Sequence, residues 1–102
     1  MGDYINKKRA WIDKFKIYLE SEKRLSIHTC KNYMRDLEVF FIFCEEKNLQ
    51  LWSDIDAEDI RMFSASQFRK GLNPKSIQRS ISSIRALFRY LVREKVITVS
   101  YT

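Results

Sequence analysis

The stretch Gly71 to Lys95, GLNPKSIQRSISSIRALFRYLVREK, decides the fold class of this chain. It reads as one long helix with two unlike faces. Gly71 has no Cβ, so it suits a left-handed cap on a preceding helix. Asn73 is a ready N-cap, and Pro74 falls at the first helical position, where a missing N–H costs nothing. Ile77, Ile81, Ile84, Phe88 and Leu91 follow at helical spacing and mark a core face. Lys75, Arg79, Ser82, Arg85, Arg89 and Arg93 recur on the opposite side, and no acidic residue interrupts them before Glu94. A long cationic face with small serines in its first half can lie close to a sugar-phosphate backbone. DNA is therefore the leading partner.

Upstream, the scarcity of helix breakers (two glycines and one proline) predicts more helix. A first helix is expected over roughly 4–23, with Trp11, Phe15, Tyr18 and Leu19 on its apolar side and Lys7, Lys8, Lys14 and Lys16 on its polar side. The break Arg24-Leu25 leads to Ser26, a good N-cap for a second helix over about 27–47. Cys30, Tyr33, Met34, Leu37, Phe40, Phe41 and Cys44 form its apolar face. Val39, Ile42 and Phe43 make its second half apolar nearly all round, which predicts burial of that half. The connection 48–55 should tuck Leu49, Leu51 and Trp52 against the core. Asp56 can cap a third helix over about 57–70, with Glu58 and Asp59 suited to its N-terminal dipole. The expected fold is all-α: a compact bundle of four main helices in one domain spanning 1–102, with a tail or linker start at about 98–102.

The composition narrows the function. The chain of 102 residues carries a net charge of +6. Its basic excess lies in residues 1–24 and from Gly71 onward, while 25–70 is net acidic, an asymmetry typical of a polyanion-binding face. Cys30 and Cys44 on one helix would be roughly 21 Å apart, too far for a disulfide, so they read as small core residues in a reducing compartment. One histidine and no CxxC argue against a metal, and no Gly-rich loop could cradle a nucleotide, so no cofactor is expected. No apolar run could span a bilayer, and Asn6 stands where a myristoylation motif wants Ser or Thr, so no membrane partner is expected and the location is cytoplasmic. Tyr18, Tyr33 and Tyr90 fall on core or core-edge positions, leaving no catalytic constellation.

Two polar clusters carry the functional reading. One opens the second helix: Ser26, His28, Thr29, Lys31, Asn32 and Arg35. The other opens the fourth: Asn73, Lys75, Ser76, Arg79, Ser82, Ser83 and Arg85. Free N–H groups and the dipole at both helix starts favour phosphate, and Arg and Asn can read guanine and adenine edges. Ser26 and Asn73 are explained by capping alone. His28, with no acidic residue nearby in sequence to orient it, reads as a surface or hydrogen-bonding residue rather than a base.

The run LSIHTCKNYMRDLEVFFIFCEEKNLQLW resembles the opening of the N-terminal domain of the tyrosine recombinases, the phage integrase family. A Leu-Ser-x-x-Thr-x-x-x-Tyr-x-x-Asp-Leu pattern falls on Leu25, Ser26, Thr29, Tyr33, Asp36 and Leu37. The run KGLNPKSIQRSISSIRALFRYLVREKVI is similar to the last long helix of that domain in Xer-type members, with Gly71, Leu72, Ser76, Ile77, Arg79, Ile81, Ser82, Ile84, Arg85, Leu87 or Phe88, Tyr90 and Leu91 on the pattern. The resemblance covers roughly residues 10–97. It implies a SAM-like core-binding domain, one half of a clamp around a recombination site, whose second and fourth helices face the duplex. By position this carries over to His28, Thr29, Lys31, Asn32 and Arg35, and to Lys75, Ser76, Arg79 and Ser83. It also implies that the catalytic Arg-Lys-His-Arg-His/Trp-Tyr set belongs to a separate C-terminal domain, and that this chain is a piece ending at the domain boundary. The chain is thus expected to bind double-stranded DNA at a recombination half-site beside other recombinase subunits, in the bacterial cytoplasm and associated with the nucleoid when bound. On its own it should cut nothing. Alternatives are a helical protein-interaction module with a basic face, or a free-standing transcription regulator, for which the fourth helix is long.

Overall fold

A computed structural model of the chain describes residues 2–98, with the side chains of 7–98. Four helices follow one another: α1 (Gly2–Ser21), α2 (Ile27–Glu46), α3 (Ala57–Arg69) and α4 (Pro74–Arg93). A single 3₁₀ turn at Trp52–Asp54 lies between α2 and α3, and no strand occurs among the described residues. The radius of gyration, 13.2 Å, is that of a tightly packed chain of about 100 residues. The expected tail falls outside the described residues apart from Thr98, as do Met1 and Tyr101; of the Tyr4 side chain nothing is described.

Three of the helices have a side-chain cap at their start. The Ser26 hydroxyl accepts from the Thr29 N–H at 3.2 Å. Asp56 and Asp59 cap one another reciprocally at 3.0 Å, and the Asp59 N–H holds the Asp56 carboxyl below its ordinary range. Asn73 accepts from the Lys75 N–H at 2.7 Å, with Pro74 opening α4 as the sequence predicts. All four helices end in a left-handed residue: Arg24 (φ 52°), Asn48 (φ 59°), Gly71 (φ 87°) and Lys95 (φ 62°). The next residue returns its N–H to the helix it has left: Leu25 to Leu19, Leu49 to Cys44, Leu72 to Gln67 and Val96 to Leu91, at 2.9–3.2 Å. Gly71 announces this conformation in the sequence, and Asn48 does so more weakly. Arg24, Asn48 and Lys95 adopt it because Leu25, Leu49 and Val96 pack against the core.

α4 packs against all three other helices, most extensively α2. Its core face delivers Ile84, Leu87, Phe88 and Leu91, all essentially fully buried, to Phe15, Leu37, Phe40 and Phe63. Phe63 of α3 meets Phe40 and Phe43 of α2 edge-on at 5.1 and 5.3 Å, and Trp52 meets Phe88 at 5.9 Å. Tyr90 stacks obliquely on Tyr18 at 4.8 Å, and burial pushes its hydroxyl pKa up. Cys30 and Cys44 are free and buried, as expected, and desolvation pushes the Cys44 thiol up to about 12.

The packing overturns three expectations. Lys8 is not on a solvent face: it is 2% exposed, and its ammonium donates to the Leu49 carbonyl at 2.6 Å and to Glu45 at 3.2 Å. Phe41 and Trp52 present their rings to it at 5.0 and 5.2 Å, and the Trp52 indole N–H donates to the Lys8 carbonyl at 3.3 Å. The apolar stripe of α1 is accordingly turned toward Ile12, Phe15 and Leu19, leaving Trp11 half-buried. Second, the C-terminal half of α2 is buried on one side only, since Val39 and Ile42 are exposed among the described residues. Third, Leu51 is exposed, while Trp52 and Ile55 of that connection are buried.

Candidate nucleic-acid interface

A carboxylate of α2, one residue past the polar cluster that opens that helix, is met by Arg79 and Ser83 of the cluster that opens α4, and by Ser80. Asp36, one turn beyond Asn32, is 3% exposed. The Arg79 guanidinium straddles it, with Nε 3.1 Å from Oδ2 and Nη2 3.0 Å from Oδ1. The Ser83 hydroxyl donates to Oδ2 at 3.0 Å and that of Ser80 to Oδ1 at 3.4 Å. The helical repeat explains the convergence: residues 79, 80 and 83 lie on the side of α4 that meets α2. Four donors satisfy a carboxylate that would otherwise be costly to bury. The hydrogen bonds from Asp36 in turn raise the Arg79 guanidinium above its ordinary value.

This changes the reading of two expected contacts. Ser83 is buried and engaged with Asp36, so it does not present its hydroxyl to a partner. Arg79 is no free cation of a stripe but one member of an ion pair, its side chain 47% exposed. Arg79 belongs to the cationic stripe and Ser83 only to the polar cluster, and position along a helix does not say which neighbour lies beside either.

The remaining residues stay at the surface. His28, Thr29, Lys31, Asn32 and Arg35 of α2 are all exposed. Thr29 accepts from the Ser26 hydroxyl at 3.0 Å, and Arg35 donates to the Asn32 side-chain oxygen at 2.9 Å, which holds the two side by side. On α4, Lys75, Ser82 and Arg85 are exposed and Ser76 is half-buried. Neither Lys75 nor Arg85 has an acidic partner among the described residues. Arg93 differs: it bonds to Glu22 at 3.2 Å, lies 3.5 Å from Glu94 and stacks on Tyr18 at 4.8 Å. Its partners across the fold thus come from the last turn of α1 and the residue just past it.

A groove of about 1150 Å³ runs between α3 and α4 beside this surface. Lys75, Arg79, Ser82 and Arg85 form one bank, and Arg61 and Arg69 of α3 the other. Phe68, 67% exposed, stands on it. The sequence reading passed over these α3 residues. The signal was an arginine at positions 61 and 69, two turns apart on one helix, but only packing shows that they face α4. Among the described residues no group of three or more His, Cys, Asp or Glu side chains could hold a metal, and no helix is long and apolar enough to cross a membrane.

A family described as phage integrase, N-terminal SAM-like domain, matches residues 12–95, which include both polar clusters and the Asp36–Arg79 pair. The chain belongs to this family. As a SAM-like domain of the phage integrases it is 35% identical over 83 residues to the tyrosine recombinase XerC of Pseudomonas syringae pv. tomato, covering 81% of this chain and 28% of that protein. To the tyrosine recombinase XerC of Oceanobacillus iheyensis it is 36% identical over 90 residues, 88% of this chain and 30% of the relative. The XerC of Pseudomonas aeruginosa is 36% identical over 86 residues, 84% and 28% of the two chains. The SAM-like domain thus spans less than a third of the length of these relatives. No solved structure matches it. The Asp of the first sequence pattern and the Arg of the second, Asp36 and Arg79, are the two residues that the fold joins.

Proposed function

We propose that this domain grips double-stranded DNA at a recombination half-site, as the N-terminal domain of a site-specific tyrosine recombinase. The kinship with tyrosine recombinases supports the reaction class, with strand cleavage assigned to a catalytic domain outside this stretch and other recombinase subunits as neighbours on the DNA. The site of action is then the bacterial cytoplasm, at the nucleoid. The contacts come from His28, Thr29, Lys31, Asn32 and Arg35 of α2 and from Lys75, Ser76, Arg79, Ser82 and Arg85 of α4.

One observation carries the reading: the Asp36–Arg79 pair ties the middle of α2, one residue past Arg35, to the cationic side of α4, so donors on one helix and charge on the other are held in one packed unit. Phosphate contacts fix the register and a few side chains reach base edges. The test is a fluorescence-anisotropy titration of the chain on duplex DNA across a series of salt concentrations. Affinity should fall steeply with salt, and Lys75→Ala and Arg85→Ala should each lower the salt slope by about one. The exposed Phe68 on a cation-banked groove favours a rival, an acidic protein segment, and an acidic polypeptide that competes as well as DNA at equal charge would move that rival ahead.

A further inference from the structure

The guanidinium of Arg79 has a second, unused edge. Nε and one N–H of Nη2 serve Asp36. A guanidinium carries five N–H donors in one rigid plane. Both hydrogens of Nη1 and the outer one of Nη2 therefore remain, and planarity directs them away from the carboxylate. Asp36 is buried, whereas the Arg79 side chain is 47% exposed and lines the groove beside Lys75 and Ser82, so the free edge looks outward.

We propose that Asp36 is a positioning residue that holds Arg79 as a pre-aimed fork for the O6 and N7 acceptors of a guanine in the major groove. This rests on the DNA-binding reading and names which contact supplies sequence preference. Two physical reasons select a base edge over a phosphate. The Asp36–Arg79 pair is formally neutral, so it gains little from the field of the backbone, while Lys75 and Arg85 keep their whole charge for that purpose. The flexible arginine has also lost its freedom in the free protein, in bonds to a carboxylate that Ser80 and Ser83 fix in turn, so it need not lose it on binding. The end-on pair of N–H groups left over matches two adjacent acceptors.

The experiment selects duplexes from a randomised library with the 102-residue chain, then replaces each guanine of an enriched site by adenine and titrates at several salt concentrations. The wild type should show one guanine whose replacement weakens binding about 5- to 150-fold. Arg79→Lys keeps a charge beside Asp36 but lacks the fork, and should lose that discrimination. Asp36→Asn, checked by melting to be folded at the assay temperature, should lose most of it and also steepen the salt slope by about one, because the uncovered Arg79 charge can then meet phosphate. Lys75→Ala should keep the discrimination and flatten the slope. If Asp36→Asn lowers the melting temperature while leaving discrimination and slope of the folded protein unchanged, Asp36 is structural only and the proposal falls. Salt-dependent binding without any guanine preference in the wild type overturns the proposal and spares the DNA reading; no salt-dependent binding at all overturns both.

Discussion

The two basic regions of this chain are alike in sequence and differ in how many of their cations the fold engages. Lys7-Lys8-Arg9 in α1 and Lys75 to Arg93 in α4 both read as polar helix faces dense in positive charge. In α1, Lys8 is sealed under Phe41 and Trp52, and Arg9 is held by both oxygens of Glu38 at 2.8 and 3.0 Å with its guanidinium 4.4 Å from the Phe41 ring centre. In α4, Lys75 and Arg85 have no acidic partner among the described residues, Arg79 shares its charge with Asp36, and Arg93 is tied to Glu22. A cation with a carboxylate and an aromatic ring against it holds the fold together; one without them is available to a ligand. Charge density along a sequence separates the two cases poorly, because the partners come from distant parts of the chain.

The sharpest way to break this contrast is Lys8→Ala. It strips the Leu49 carbonyl of its donor and leaves Glu45 without its cation, so we expect a loss of about 3 kcal/mol in urea unfolding. Lys8→Met, which refills the volume, should cost less, about 1–2 kcal/mol. If Lys8→Ala unfolds at the wild-type urea midpoint, Lys8 belongs with the surface cations after all.

Arg79→Ala comes next. It leaves Asp36 buried with only its two serine donors, and about 2 kcal/mol should be lost, the half-exposed arginine limiting the effect through solvent screening. A melting curve unchanged by this substitution would show that the pair contributes nothing to the fold and is retained for binding alone.

Arg9→Ala should cost under about 1 kcal/mol, since both partners are nearly half exposed. Its signature is in pH dependence. The hydrogen bonds from Arg9 hold the Glu38 carboxyl below the ordinary range, so this contribution is fully present above the unfolded value of about 4.3 and is lost as pH falls through the folded value. Wild type should therefore lose slightly more stability than Arg9→Ala between pH 5 and pH 3. Parallel acid titrations of the two proteins would remove Glu38 from the account.

Smallest in stability are Lys75→Ala and Arg85→Ala, within about 0.5 kcal/mol of wild type, because nothing in the fold uses either charge. If the proposed function holds, their effect appears in duplex binding, where Arg93→Ala, already spoken for by Glu22 and Tyr18, should be nearly silent. Equal losses of DNA affinity in all three variants would erase the distinction between free and committed cations.

Much of the fold was legible in the sequence because its signals are local. Helix periodicity, Ser26, Asp56, Asn73-Pro74 and Gly71 depend on residues within one or two turns, and each element formed within about two residues of expectation. The burial of Cys30 and Cys44 followed from the same periodicity. The two polar clusters were visible too, as polar residues at helix starts. The sequence could not say which neighbour each polar side chain would meet. Lys8 reads as solvent-facing in the sequence, but α2 and the Trp52 turn close over it; Val39 and Ile42 read as buried, but both are exposed among the described residues. Asp36 drew notice only as part of a pattern, and Ser83 as a serine on a basic face; the crossing of α2 over α4 made them one buried site with Arg79. Hydrophobic spacing and capping are fixed by bonds between residues a few positions apart, so the chain by itself determines them. Ion pairs between residues tens of positions apart depend on how helices cross, and that is decided only when all four apolar faces pack at once.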